Sequence, residues 1–316
     1  MNNSLKLPYK YLVFEGGGVK GLAYTKIPKV LKEFGILHNI NKVAGSSVGS
    51  IIALLIALKY DSEEIIEIMK NLNLAEFKDT RPSYTWKMYN LVFKCGIYSG
   101  QLFENWIKEH IYYITGSYET TFKELYEYSE IELVITGTSL ATKSTQFFSY
   151  KTTPDMEIWQ ACRISVAIPC FFTPVKIDND LYVDGGLLYN YPIWIFDNPF
   201  SYEYNIENLD FQSELTLGFK LVSSKSSDFV SSMPKILPII TFFYMLIGTF
   251  LGFIDNSYMQ QTYWDRTVGI DTSDIQTTEF NISDERKNLL IKNGYENTKI
   301  YLQNKLDSIK ESLYDR

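Results

Sequence analysis

The chain has 316 residues, of which 46% are hydrophobic and 16% aromatic, so it can bury a full core as one large α/β unit or as two smaller domains. Its formal net charge is −7 at pH 7 and it has no long run of Lys or Arg, which argues against a nucleic-acid-binding protein. Cys95, Cys162 and Cys170 have neither CxxC spacing nor a nearby histidine pair, which argues against a disulfide framework and a zinc site and favours a reducing compartment.

The first predicted elements alternate between strands and helices, as in a layered α/β protein. Residues 1–8 contain no apolar stretch of signal-peptide length, which favours a cytoplasmic protein over a secreted one. Residues 9–14 are β-branched or aromatic and end at glycines, which predicts a buried strand. Residues 21–34 predict a helix, and Pro28 predicts a kink or a broken turn near its middle.

A second strand and a second helix follow. Residues 42–44 predict the strand, and residues 50–58 are apolar on every side, as in a helix buried within a layered protein. The remaining predictions are helices at residues 62–72, 101–113 and 155–163 and strands at residues 131–138, 146–150, 181–183 and 214–221.

The last third contains two apolar patterns. Residues 236–254 carry no charge and are long enough to span a membrane, but they include Pro238, Gly248 and Gly252, so we expect a core helix or a lipid-facing helix there. From Asp284 the chain is predicted to be helical. Its apolar stripe is too short for a coiled coil and predicts packing onto the body of the protein. The stripe consists of Leu302, Leu306, Ile309 and Leu313.

A glycine-rich loop follows the first strand and contains Gly16, Gly17, Gly18 and Gly21. The loop also matches the dinucleotide pattern G-x-G-x-x-G, but the second strand ends without the acidic residue that would bind the ribose. Leu22 follows Gly21 where a phosphate-binding P-loop needs Lys. Free backbone N–H groups at a helix start suit a negative charge, so the loop predicts an oxyanion hole, with a structural tight turn as the alternative.

The pentapeptide G-x-S-x-G at residues 45–49 places Ser47 between Gly45 and Gly49. It lies between the second strand and the apolar helix, where a sharp turn exposes the central serine if its neighbours are small. Ser47 is therefore the predicted nucleophile, whereas Ser46 lies outside the central position.

A serine nucleophile needs a base, and the chain contains only two histidines, His38 and His110. His38 precedes the serine at the turn after the first helix, and His110 lies on a charged, surface-type helix. We interpret both as structural histidines, which leaves a Ser-His-Asp triad without its histidine.

Asp184 can take the place of the missing base. It ends the strand predicted at residues 181–183 and is followed by Gly185 and Gly186, which predicts an open turn near the carboxyl edge of the sheet. An ordinary aspartate is a weak base, so we expect partial burial to raise its pKa toward neutrality. A structural Asx turn is the alternative. Asp178 and Asp180 are interpreted as loop or turn residues, because neither precedes a pair of glycines.

Taken in chain order, these motifs resemble those of patatin-like phospholipases. The glycine-rich loop at residues 16–21, the G-x-S-x-G at residues 45–49 and the D-G-G at residues 184–186 have the order found in that family. Residues 165–169 (Ser-Val-Ala-Ile-Pro) resemble the S-x-A-x-P segment that lines the family's active site. The resemblance covers about residues 8–195.

The resemblance implies a three-layer α/β/α fold with a mostly parallel central sheet and a C-terminal helical extension. It also implies a nucleophile at Ser47, a general base at Asp184, an oxyanion hole in the backbone of Gly16, Gly17 and Gly18, and no metal or cofactor. We expect a single domain over residues 1–316, with a catalytic core at about 8–195 and an extension at about 200–316 packed on it.

The function expected from this resemblance is lipid acyl hydrolysis of phospholipase A type through a Ser-Asp dyad and an acyl-enzyme. The substrate would be a phospholipid or another acyl lipid, and the protein would be cytoplasmic and peripheral to a membrane. Two alternatives stay open: an acyltransferase that uses the same dyad, and a catalytically silent membrane-binding protein. The presence of both dyad residues argues against the silent protein.

Overall fold

The computed structural model describes residues 6–78, 83–197, 214–223, 261–277 and 279–314. The apolar segment at residues 236–254 lies outside the described residues, so its predicted role stays a prediction. Within the described ranges, no helix combines the length and the apolar character that crossing a bilayer requires.

Among the described residues, a mixed, mostly parallel sheet of eight strands forms the centre of the fold. The order across the sheet is β10, β9, β1, β2, β4, β8, β7, with β5 also paired to β4. Pairing is parallel from β10 through β4 and antiparallel among β4, β5, β7 and β8. The strands are β1 (Tyr11–Phe14), β2 (Lys42–Gly45), β4 (Glu132–Ser139), β5 (Ser144–Phe148), β7 (Val175–Ile177), β8 (Asp180–Asp184), β9 (Thr216–Val222) and β10 (Thr267–Asp271), and a separate two-stranded sheet pairs β3 (Gly96–Tyr98) with β6 (Cys170–Phe172).

Helices flank this sheet, and the alternation of side chains along β1 shows how both of its faces are covered. Leu12 and Phe14 belong to the larger hydrophobic cluster with the helices, whereas Val13 points to the other face and packs in a second cluster with Trp194. The α-helices are α1 (Ile27–Glu33), α2 (Val48–Ala57), α3 (Ser62–Asn71), α4 (Tyr84–Lys94), α5 (Gln101–Thr115), α6 (Phe122–Ser129), α7 (Ile158–Ser165), α8 (Gln261–Trp264) and α9 (Asp284–Tyr314). The predicted layered α/β class with a C-terminal helix is confirmed.

The predicted break at Pro28 is also confirmed. The chain forms a 3₁₀ helix over Gly18–Lys26, and α1 begins at Ile27 with Pro28 in its first turn. Proline is well tolerated at that position, because the N–H it lacks would have no partner within the helix.

The C-terminal helix α9 packs closely against the 3₁₀ helix Gly18–Lys26. At their contact, a Cβ added to Gly294 would lie 1.8 Å from the carbonyl oxygen of Ala23, so only glycine allows this approach. The apolar stripe of α9 is buried at Leu302, while Leu313, near the end of the helix, is 57% exposed. The packing predicted for the stripe therefore holds for its first part.

Candidate active site

Ser47 occupies the turn between β2 and α2, where the structure places the predicted strand-turn-helix. Its φ of 49° lies in the left-handed region, which is unfavourable for a residue with a side chain. The small neighbours make the turn possible, because a Cβ at Gly45 would lie 2.1 Å from the carbonyl oxygen of Gly49. The turn therefore has the tight geometry of a nucleophile elbow.

The backbone of Ser47 is held from the opposite side by α7. Its N–H donates to Ser165 Oγ at 2.9 Å, and Ser165 is fully buried at the end of that helix. Ser165 is the first residue of the S-x-A-x-P segment, so this segment supports the turn directly.

Asp184 is the last residue of β8, and its side chain lies near Ser47. Its Oδ1 accepts a hydrogen bond of 2.7 Å from the Gly186 N–H, in the short 3₁₀ turn Gly185–Leu187. Burial raises the pKa of the Asp184 carboxyl to about 7, and hydrogen bonds from Gly186 and from the Ser47 side chain lower it. The carboxyl group is therefore buried with a raised pKa, as expected, and it lies near enough to Ser47 for the serine side chain to influence that pKa.

The neighbouring serine and aspartates are engaged elsewhere. Ser46 is fully buried, and its hydroxyl donates to the Tyr189 carbonyl at 3.0 Å. Asp178 is exposed in the turn between β7 and β8. A hydrogen bond from Ser139 lowers the pKa of Asp180, opposite in direction to the shift at Asp184. The structure thus brings Ser47 and Asp184 together and leaves these three residues out.

Neither histidine lines the cavity next to Ser47. His38 is exposed in a short 3₁₀ turn. His110 is half-buried on α5, where Tyr60 donates its hydroxyl to the His110 carbonyl at 3.0 Å and burial lowers the pKa of the ring.

The glycine loop runs from the end of β1 past Ser47. The Gly16 N–H already donates to the Asn190 carbonyl at 3.1 Å, so this amide is occupied. In the part of the chain that the structure describes, the N–H groups of Gly17 and Gly18 have no backbone acceptor. Of the three predicted donors, Gly17 and Gly18 thus stay available for an oxyanion.

Gly18 is conformationally required and is supported by the C-terminal part of the chain. Its φ is +53°, and an added Cβ would lie 2.2 Å from the Thr277 carbonyl oxygen. The same carbonyl accepts a hydrogen bond from the Val19 N–H at 3.1 Å. Gly21, further along, packs against the Val48 side chain.

A buried ion pair anchors the start of this loop and was missed by sequence reasoning. Glu15 is 3% exposed and pairs with Lys220 of β9 at 2.7 Å. The other carboxylate oxygen of Glu15 accepts from the Leu221 N–H. Since Glu15 and Lys220 are separated by 205 positions, no local pattern could have indicated this contact.

The space beside Ser47 is an apolar cavity. It contains about 400 Å³ of atom-free space, including its open mouth. Apart from Gly18 and Ser47, every residue that lines it has an apolar side chain. These residues are Val48, Ile51, Leu74, Phe77, Phe103, Val166, Ile168, Phe172 and Phe280. Val48 lies in the G-x-S-x-G motif, and Val166 and Ile168 lie in the S-x-A-x-P segment. No sequence motif marked Leu74 and Phe77 of the turn after α3, Phe103 of α5 or Phe280.

The site is therefore built from a serine, a carboxyl group and backbone amides. No group of three or more His, Cys, Asp and Glu side chains within the described ranges is arranged to hold a metal ion. A serine on a tight turn, a buried carboxyl group with a raised pKa and a glycine loop with free amides are the kinds of group that nucleophilic acyl chemistry uses. The family model described as "Patatin-like phospholipase" matches residues 12–197, and the chain belongs to this family.

Relatives and solved structures agree with this assignment. The "Uncharacterized protein R571" of Acanthamoeba polyphaga mimivirus is 31% identical over 296 residues, which cover 92% of each chain. The "Probable lipid hydrolase 463L" of Invertebrate iridescent virus 6 is 32% identical over 189 residues, which cover 58% of this chain and 62% of the relative. The crystal structure of VipD from Legionella pneumophila has the same fold, with a TM-score of 0.60 and 19% identity over 95% of this chain and 67% of VipD.

Proposed function

We propose that this protein is a lipid acyl hydrolase that cleaves fatty-acyl esters of membrane lipids through an acyl-enzyme at Ser47. One observation carries the proposal: Ser47, which lines an apolar cavity, interacts with the buried carboxyl group of Asp184, whose pKa is raised to about 7. The similarity to the viral protein named a probable lipid hydrolase supports it as well.

In the first half-reaction, Ser47 Oγ attacks the carbonyl carbon of the ester while Asp184 accepts the hydroxyl proton. The negative charge of the tetrahedral intermediate falls on the former carbonyl oxygen, which the N–H groups of Gly17 and Gly18 stabilise. When the ester C–O bond breaks, Asp184 returns the proton to the leaving alcohol, and the acyl group stays on Ser47. A carboxyl group with a pKa of about 7 suits both transfers, since it can accept and release a proton near neutral pH.

In the second half-reaction, water takes the place of the serine hydroxyl. Asp184 removes a proton from the water as it attacks the acyl carbonyl, and the same two amides again stabilise the oxyanion. Asp184 then protonates Ser47 Oγ as the acyl bond breaks. The products are a fatty acid and the free enzyme.

The cavity favours a long acyl chain over a small polar ester. Its lining beyond Ser47 has no charged side chain. A hydrocarbon chain gains free energy there by leaving water. Such a substrate resides in a bilayer, so the protein is proposed to act at a membrane surface.

The test is the release of fatty acid from phospholipid vesicles by the wild-type protein and by Ser47→Ala. We expect release by the wild type and none above background by Ser47→Ala. Ser46→Ala is the matched control, because it removes a hydroxyl one residue away that is bonded to a backbone carbonyl; it should retain most of the activity. Equal release by Ser47→Ala and the wild type would refute the proposed nucleophile.

Analysis of the products separates hydrolysis from acyl transfer. Free fatty acid as the main product supports the hydrolase, whereas acyl groups recovered on an added lyso-lipid or alcohol acceptor would identify an acyltransferase. Vesicle binding without any turnover would identify a binding protein.

A further inference from the structure

One helix near the cavity exposes an aromatic surface to solvent. On α4, Trp86, Tyr89, Val92 and Phe93 are 43%, 48%, 61% and 71% exposed, and we call these four residues the α4 aromatic face. Trp86 and Tyr89 stack with ring centroids 5.6 Å apart, and Tyr89 contacts Phe93 at 4.9 Å. The rings thus form one continuous apolar surface, and such surfaces on proteins usually bind something.

The opposite side of α4 is fixed to the fold. Asn90 is buried, and its Nδ2 donates to the carbonyl of Ile97 in β3 at 3.2 Å. Leu91 packs against the main hydrophobic cluster. The inner side of α4 is therefore attached to the fold, and this attachment holds the aromatic face toward solvent.

Neighbours of α4 on both sides contact residues that line the cavity. β3, which follows α4, pairs with β6, where Tyr98 is in register with the cavity residue Phe172. On the other side, Lys78 Nζ lies 5.1 Å above the ring of Phe280, which also lines the cavity. Burial lowers the pKa of Lys78, and the positive charge of Lys87 on α4 lowers it further, which places Lys87 near this edge of the cavity.

The stretch of sequence that contains α4 is positively charged, whereas the whole chain is negatively charged. The protein has a net charge of −7, yet the sequence from Ser83 to Phe103 contains Lys87 and Lys94 and no Asp or Glu. Lys94 Nζ lies 5.7 Å from the centre of the Trp86 ring, so a cation borders the aromatic surface. Tryptophan and tyrosine beside lysine are the side chains that occupy the interface of a bilayer, and lysine attracts anionic headgroups.

We propose that the α4 aromatic face is the surface by which this protein docks on anionic phospholipid bilayers. Trp86, Tyr89 and Phe93 insert at the level of the headgroups while Lys87 and Lys94 contact lipid phosphates. Docking in this orientation brings the cavity next to the bilayer, so a lipid acyl chain can reach Ser47 without crossing water. The role of this surface in catalysis rests on the proposed function, but binding to vesicles can be measured without any hydrolysis.

The first test measures partitioning onto vesicles made of equal parts of phosphatidylcholine and phosphatidylglycerol. All proteins carry Ser47→Ala, so the vesicles stay intact. In the parent protein, each half-inserted ring removes on the order of 100 Å² of apolar surface from water. Loss of two rings in the variant that also carries Trp86→Ser and Phe93→Ser should therefore weaken partitioning at least about tenfold. The matched control is Tyr113→Ser with Tyr128→Ser, which removes two rings of similar exposure, 71% and 54%, from other helices and should bind as the parent does.

A second variant tests the charges. Lys87→Gln with Lys94→Gln should weaken binding to the phosphatidylglycerol vesicles, remove much of its sensitivity to salt, and have little effect on pure phosphatidylcholine vesicles. Unchanged binding by both the aromatic and the lysine variants would overturn the inference. A change of oligomeric state in the aromatic variant, measured by light scattering, with vesicle binding unchanged, would assign the face to a second copy of the chain and would also overturn it.

Activity separates a failure of docking from a failure of the proposed function. With Ser47 restored, the Trp86→Ser, Phe93→Ser protein should hydrolyse a water-soluble short-chain ester at the wild-type rate and release at least about tenfold less fatty acid from the same vesicles. No hydrolysis of either substrate by the wild type, with the vesicle-binding difference present, would refute the hydrolase and leave the docking surface in place. Equal loss on both substrates would show that the variant damages the site and would refute a docking role.

Discussion

Replacing Asp184 by asparagine should change the pH dependence of stability in a way that does not depend on catalysis. The side chains have nearly the same shape, and the amide oxygen can still accept from the Gly186 N–H while its NH₂ group faces Ser47. In the wild type the folded-state pKa is about 7, whereas its ordinary value is 3.8. Between these values the folded protein holds a proton that the unfolded chain has released, so the free energy of unfolding falls as the pH rises.

The size of this change in the free energy of unfolding follows from the difference between the folded-state pKa of about 7 and the ordinary value of 3.8. At roughly 1.4 kcal/mol for each pKa unit, this difference corresponds to about 4 kcal/mol. Asparagine has no such titration. The free energy of unfolding of Asp184→Asn minus that of the wild type should therefore rise by about 4 kcal/mol from about pH 4 to about pH 7, and then stay level.

Urea unfolding followed by tryptophan fluorescence at a series of pH values measures this difference. Asp180→Asn is the control, because a hydrogen bond from Ser139 lowers the pKa of Asp180. For that variant the difference from the wild type should change in the opposite direction as the pH rises through the acid range. A difference for Asp184→Asn that stays flat across the acid and neutral range would refute the account of a buried, neutral carboxyl group.

Two substitutions test the supports of the site. Ser165→Ala removes the acceptor of the hydrogen bond from the Ser47 N–H. We expect the free energy of unfolding, measured with urea, to fall by roughly 1 to 3 kcal/mol, and kcat to fall with little change in KM. A wild-type kcat would show that this bond does not position the turn. Gly294→Ala places a Cβ 1.8 Å from the Ala23 carbonyl oxygen. The steric clash should lower the free energy of unfolding by roughly 1 to 3 kcal/mol, which outweighs the gain in helix propensity. A melting temperature above that of the wild type would contradict the close contact of α9.

The central part of the fold could be predicted because its signals are local. The strand, the tight turn and the apolar helix around Ser47 are adjacent in sequence, and Asp184 follows a strand and precedes two glycines. The short motifs G-x-S-x-G and D-G-G therefore identified both candidate residues. In the structure the Ser47 side chain influences the pKa of Asp184, so the two residues lie close together.

Other features could not be predicted because they depend on contacts between distant segments. The Gly16 N–H is taken by a carbonyl 174 positions away, which the glycine pattern does not reveal. The cavity receives Leu74 and Phe77 from the turn after α3 and Phe280 from a distant segment, and each looks like an ordinary core residue in sequence. The sequence did not reveal α4, because its exposed face carries Trp86, Tyr89 and Phe93 in place of the polar residues that usually mark a surface helix.

The order of strands in the sheet has a consequence for synthesis of the protein. β1, which leads into the glycine loop, lies between β2 and β9, and β9 begins only at Thr216. Thr277 and Phe280, which complete the loop and the cavity, come later still. At about 5 to 20 residues per second, a ribosome needs on the order of ten seconds to pass from β2 to β9. Only after residue 184 has been added does the nascent chain carry both Ser47 and Asp184, and the candidate site still lacks β9, Thr277 and Phe280, so it is completed only near the end of translation.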